Sequence, residues 1–101
     1  MANFAVTMEN GPHWDASRAI RDQDGWQAHA AFMDALVDNG FVIIGGPLST
    51  GQRLLAVEAP DEQAVRDRMA ADPWALTGRL QVGSVERWSL WLDCRKTRSD
   101  G

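Results

Sequence analysis

The chain of 101 residues has the length of one domain, and 45% hydrophobic with 24% charged residues is an ordinary globular composition. Its net charge of −4 argues against nucleic acid as the main partner. No apolar run approaches the ~20 residues of a membrane span, no signal peptide is evident, and the single cysteine fits a reducing compartment. We therefore expect a cytoplasmic protein without a membrane partner, with one domain over residues 1–93 and a polar tail over residues 94–101.

The first half of the chain predicts a strand followed by a helix. Apolar side chains alternate with smaller or polar ones over residues 3–9, as in a half-buried strand. Residues 13–24 are a polar connection. Residues 25–40 carry apolar side chains at helical spacing and end in Gly40, a residue type typical of the position just past a helix. His29 lies on the apolar side of this helix, so its imidazole is expected to meet whatever the helix covers.

The second half predicts three further strands and a second helix. Residues 41–48 form a short apolar run that ends in paired glycines, and residues 53–59 form a strand that pairs with it. Asp61 has the chemistry of a helix N-cap, and Asp72 precedes a proline that ends the helix. We expect residues 74–79 to be a connection that leads into a long last strand.

The resulting order is βαββαβ, with the last strand over residues 80–92. This order predicts a ferredoxin-like α+β fold in which a four-stranded antiparallel sheet carries both helices on one face. The other face would be polar in a monomer, yet the second, third and last strands are apolar at both alternating positions. We therefore predict a homodimer through the open sheet face. The alternative is a monomer whose own loop and tail cover that face.

Several motifs resemble those of one known family, the YciI-like (YCII-related) proteins. The similarity extends from about residue 25 to residue 92 and includes both the order and the spacing of the motifs. They are Trp26-x-x-His29-x-x-Phe32-Met33-x-x-Leu36, Gly40-Phe41-x-x-x-Gly45-Gly46-Pro47-Leu48, Asp72-Pro73-Trp74-x-x-x-Gly78, and the last strand near Trp88.

The resemblance implies a fold, an assembly and an active site. YciI-like proteins belong to the dimeric α+β barrel superfamily, which is ferredoxin-like and forms sheet-to-sheet dimers. The family's histidine and aspartate correspond to His29 and Asp72. Some relatives are linked to enzymes that act on small cyclic or aromatic compounds, including dehydrochlorination. Many relatives have an arginine three residues before the histidine, where this chain has Trp26.

The residues themselves offer a separate argument for the pair. Asp72 is expected at the C-terminal end of the second helix, where the helix dipole disfavours a carboxylate and an imidazolium would compensate. A carboxylate bonded to one ring nitrogen of His29 fixes the tautomer and makes the other nitrogen a better base. The alternative is a core histidine with satisfied hydrogen bonds and an aspartate in an ordinary Asp-Pro turn.

Six further residues are candidates for contact with a substrate, and each also has an ordinary structural explanation. The glycines offer backbone N–H groups or merely shape a hairpin, the serine lies in a turn, the tryptophans pack a core, and the arginine lies in a solvated loop. These candidates are Gly45, Gly46, Ser49, Trp26, Trp74 and Arg18.

The sequence thus predicts an enzyme that needs no cofactor and uses a His-Asp pair for acid–base chemistry on a small cyclic or aromatic metabolite. An elimination or an isomerisation, the work of a lyase or an isomerase, is the simplest fit. No metal-ligand motif is present, so no metal is expected. The alternative is a small-molecule binding protein, or an accessory module, that catalyses no reaction.

Overall fold

A computed structural model describes residues 1–95 of the chain. The predicted polar tail therefore lies outside the described residues, except for its first two positions. The regular elements, in chain order, are β1 (Ala2–Asn10), a 3-10 turn (Ile20–Asp22), α1 (Trp26–Asp38), β2 (Val42–Pro47), β3 (Arg53–Ala59), α2 (Glu62–Met69), α3 (Pro73–Leu76) and β4 (Leu80–Arg87). No helix among these residues has the length and apolar character needed to cross a membrane.

The four strands form one antiparallel sheet in the order β2-β3-β1-β4, and together with three helices they make an α+β fold. β1 lies inside the sheet and alternates between its two faces along its whole length. Val6 is opposite Leu55 of β3 and Val85 of β4, and these three side chains are buried. Thr7 is opposite Leu54 and Ser84 on the other face.

One face of the sheet carries the helices, and we call it the covered face. Its strand residues form a single apolar cluster with buried side chains from α1, α2 and α3. Helix burial of this kind stabilises the fold in proportion to the apolar area that leaves water. The helix residues with the lowest exposure in this cluster are Leu36, Val65, Met69 and Trp74.

α1 begins and ends where its sequence predicts, whereas α2 begins as predicted but ends at Met69 rather than at Asp72. α1 ends at Asp38, and Gly40 follows with a φ of +82°, a conformation that an L-residue adopts only with strain. At the start of α2, Asp61 Oδ1 accepts a hydrogen bond of 2.8 Å from the backbone N–H of Ala64. The predicted N-cap is therefore present.

Two further predicted boundaries are wrong. The segment that begins at Trp74 is not simply a connection, because residues 73–76 form the short helix α3 with Pro73 in its first turn. The last strand ends at Arg87 rather than near residue 92, since the chain leaves the sheet beyond that residue. The side chains of Trp91 and Leu92 are consequently exposed rather than part of a sheet face.

The other face of the sheet, which we call the open face, has a polar half and an apolar half. On β1 and β4, Thr7 bonds to Ser84 and Glu9 accepts a hydrogen bond from Gln81. On β2 and β3 the exposed or half-buried side chains are mainly apolar. They surround a shallow cavity of about 320 Å³ whose lining includes Ile44, Leu48, Leu54, Ala56 and Trp88.

Candidate active site

His29 and Asp72 are in direct contact beneath α1. The ring nitrogen Nδ1 is 2.9 Å from Oδ1 and 2.8 Å from Oδ2 of the carboxylate. An ionised carboxylate can only accept hydrogen bonds, so Nδ1 carries the proton and donates it. The aspartate is 0% exposed and the histidine 7% exposed. The contact between residues 43 positions apart is the one that the sequence predicts.

The surroundings of Asp72 differ from the expected ones. The residue does not end α2, which stops at Met69, but caps the start of α3. Its Oδ1 accepts a hydrogen bond of 2.9 Å from the backbone N–H of Trp74. The expectation of an unfavourable helix C-terminus is therefore wrong, because a helix N-terminus presents N–H donors that favour a carboxylate.

Trp74 holds the imidazole from one side. Its ring is stacked on that of His29, with centroids 4.1 Å apart and planes within 7°. The indole Nε1–H donates a 2.7 Å hydrogen bond to the carbonyl of Asp24, which fixes the indole in turn. Gly25 lies against this indole with a φ of +80°, and a Cβ there would be 3.1 Å from Nε1. The orientation of the imidazole is thus set by both its carboxylate and its stacking partner.

The His-Asp pair forms part of the wall of a cavity of about 350 Å³ between α1 and the covered face. This volume is within the usual range for small-molecule sites, and most of the lining is apolar. Among the described residues, Nε2 of His29 makes no hydrogen bond, whereas Nδ1 is occupied by Asp72. A basic ring nitrogen is therefore free on a residue that lines an apolar cavity.

Three of the six predicted contact residues line this cavity, namely Trp26, Gly45 and Gly46. At Gly45 a Cβ would overlap the end of the Leu55 side chain and lie 3.1 Å from the carbonyl oxygen of Leu54, so a larger residue there would require Leu55 to move. At Gly46 a Cβ would meet nothing within 4 Å. The backbone of β2 thus approaches the cavity without side chains, which leaves room for a ligand.

The other three predicted contact residues lie away from the cavity lining. Trp74 is buried behind the imidazole, and Ser49 is exposed in the turn between β2 and β3. Arg18 is exposed and forms ion pairs of 3.5 Å with Asp15 and Asp24. The structure therefore brings Trp74 to the His-Asp pair but leaves the serine and the arginine outside.

Sequence reasoning missed Arg53, which lines the cavity together with Asp34 of α1. Arg53 is the first residue of β3 and alternates in register with Leu55 and Val57, which are both buried on the covered face. The period-two pattern of a strand could have placed it on that face. An arginine at the start of a strand is more often read as an exposed strand end, so the signal was overlooked.

The described residues contain no group of three or more His, Cys, Asp or Glu side chains that could hold a metal ion. The chemistry available at the site is proton transfer by an oriented imidazole, and Arg53 and Asp34 are the charged residues that line the cavity besides the His-Asp pair. Comparison of the chain with family models and curated proteins, and of its fold with solved structures, finds no match.

Proposed function

We propose that this protein is an enzyme that uses His29 as a general base and acid on a small cyclic or aromatic metabolite, without a cofactor. The observation that carries the proposal is the free Nε2 of an imidazole whose Nδ1 is bonded to a fully buried carboxylate, at the wall of an apolar cavity. Asp72 is a positioning residue, because it selects the tautomer that leaves Nε2 as the base.

The simplest reaction begins with removal of a proton from a carbon next to a carbonyl. Nε2 of His29 takes the proton, and the electron pair of the C–H bond moves into an enolate. In an isomerisation the imidazolium returns the proton to a different carbon. In an elimination the electron pair expels a leaving group from the neighbouring carbon, and the proton leaves later with solvent. Backbone N–H groups at Gly45 and Gly46 are candidates to support the oxyanion.

Membership of the YciI-like family is part of the proposal. Its support is the order of elements, the sheet order β2-β3-β1-β4 expected of a ferredoxin-like fold, and the contact between the two residues that match the family's pair. The free, exposed thiol of Cys94 is consistent with action in the reducing cytoplasm.

We also propose a homodimer in which the apolar half of the open face is buried. The exposed fractions of Ile44 (71%), Leu48 (43%) and Trp88 (38%) support it, because apolar side chains concentrated on one surface favour association. Sedimentation equilibrium at micromolar concentration tests the assembly. A monomer that persists at these concentrations would contradict it.

The acid–base function can be tested without knowing the substrate. Weak carbon acids, such as cyclic ketones, unsaturated lactones and phenols, are incubated in D2O, and exchange of C–H for C–D is followed by NMR. We expect catalysed exchange of at least one compound, with a loss of about 10²-fold or more in His29→Gln. His13→Gln is the matched control, since His13 is exposed and bonds to Thr77 instead.

The second candidate function is binding without chemistry, favoured by the largely apolar lining of the cavity. Compounds that bind in the cavity but exchange no faster than in buffer would support this candidate. Equal exchange rates in wild type and His29→Gln would contradict the acid–base proposal directly. NMR of the ring nitrogens adds a second readout, because Asp72→Asn should alter the tautomer of His29.

A further inference from the structure

We infer that Arg53 is the anion-binding group of the cavity and that the ligand is a small carboxylate with an apolar body. This inference names the substrate class of the proposed site, and it rests on the proposed use of that cavity. It replaces the arginine expected from the sequence, Arg18, with one that the fold brings to the cavity lining.

The guanidinium of Arg53 is held in place by two neighbours. Nη1 donates a hydrogen bond of 2.6 Å to Oδ1 of Asn10, and the Cζ atom lies 5.0 Å from the ring centroid of Trp14. A guanidinium fixed by one amide and one aromatic face keeps its other N–H donors for a ligand. Its fork is pre-organised, so binding an anion costs little further ordering of the side chain.

No carboxylate in residues 1–95 forms an ion pair with Arg53. Burial lowers the pKa of its guanidinium below the usual value. The other half-buried arginine of the described chain, Arg79, is paired with Asp24 at 3.4 Å and also bonds to Gln23. Arg53 is therefore a partly desolvated cation without an internal counter-ion. A bound anion would offset the free-energy cost of this desolvation.

The other residues that line the cavity indicate the chemical character of the ligand. Besides Arg53 and His29, the lining includes Met8, Met33 and Val37, whose side chains suit an apolar body. A planar carboxylate matches the fork of a single guanidinium, whereas a phosphate dianion would require more donors than this cavity offers. Two carboxylates also line the cavity: Asp72 is bonded to His29, and Asp34 is exposed on α1.

The test compares acids with their neutral analogues of the same shape. Benzoate, cyclohexanecarboxylate and hexanoate are titrated beside benzamide, cyclohexanecarboxamide and hexanamide, with tryptophan fluorescence as the signal because Trp26 lines the cavity. We expect at least one acid to bind about tenfold or more tightly than its amide. The preference should disappear in Arg53→Gln and persist in part in Arg53→Lys.

Arg66→Gln is the matched control, because Arg66 is exposed on α2 and paired with Glu62. If no acid binds more tightly than its amide in the wild type, the inference is overturned. This outcome is measured on the wild type alone, so it does not depend on whether a variant folds. An unchanged acid preference in Arg53→Gln would also overturn it. His29→Gln should keep the preference for the acid. If the wild type binds acids but catalyses no proton exchange, the role of Arg53 in anion binding is supported and the enzymatic proposal is contradicted.

Discussion

The covered and open faces of this sheet start from the same alternating strands but have different surroundings. On β1, Phe4, Val6 and Met8 pack beneath the helices, while Asn3, Ala5 and Thr7 point the other way and are half-buried. The covered face also holds the His-Asp pair and its cavity. The open face instead holds hydrogen-bonded polar pairs beside an apolar patch.

The difference shows where this fold can support chemistry. On the covered face, Asp72 is held away from water, and each of its interactions replaces hydration that it has lost. On the open face, Thr7 and Ser84 are half-buried, so water competes more easily for their hydrogen bonds. The same side-chain contact should therefore contribute more stability on the covered face, and three pairs of substitutions test this expectation.

The largest effect is expected from Asp72→Ala. The change removes the acceptor of both the imidazole Nδ1–H and the Trp74 N–H, so buried donors lose their partners. We expect a loss of about 3 to 5 kcal/mol in the free energy of unfolding, measured in urea. Asp61→Ala is the control, because it removes an exposed cap of the same chemistry and should cost about 1 kcal/mol. Equal losses would show that burial adds nothing at residue 72.

The second largest loss of stability is expected at an apolar residue of the covered face, and an apolar residue of the open face is its control. Met69 is 0% exposed under the covered face, and Met69→Ala should cost about 2 to 5 kcal/mol through lost packing and a cavity. Ile44 is 71% exposed in the single chain, so Ile44→Ala should change the unfolding free energy of a monomer by less than about 0.5 kcal/mol. In the proposed dimer the same change should instead weaken association, which sedimentation can measure. A large stability loss in a monomeric Ile44→Ala would contradict this assignment of the two faces.

The smallest effect is expected in the polar half of the open face. Thr7 Oγ1 bonds to the hydroxyl of Ser84 and also accepts its backbone N–H, both at 2.9 Å. Thr7→Val removes both contacts, yet water can replace them, so the cost should be about 1 kcal/mol or less. Ser84→Ala removes only the hydroxyl contact and should cost less still. If Thr7→Val lowered the free energy of unfolding by more than Met69→Ala does, the polar half of the open face would have to be buried in an assembly.

Local patterns in the sequence were sufficient for most of the elements. Alternation identified β1, pairing with the apolar run before it predicted β3, and spacing placed His29 on the inward side of α1. The four residues of α3 were missed, since one helical turn is too short to show a period. The last strand was predicted too long, because apolar residues continue beyond Arg87 even though the chain leaves the sheet there.

The sequence by itself determined which side chains of β1 and α1 point inward, because a strand repeats every two residues and a helix every 3.6. It thereby pointed to His29 as an inward base and, with the resemblance, to Asp72 as its partner. Only the tertiary structure decided that the two meet through Nδ1, that Trp74 stacks on the ring, and that Arg53 rather than Arg18 lines the cavity. These contacts join residues far apart in the chain, and their distances depend on how the helices pack on the sheet rather than on any local period.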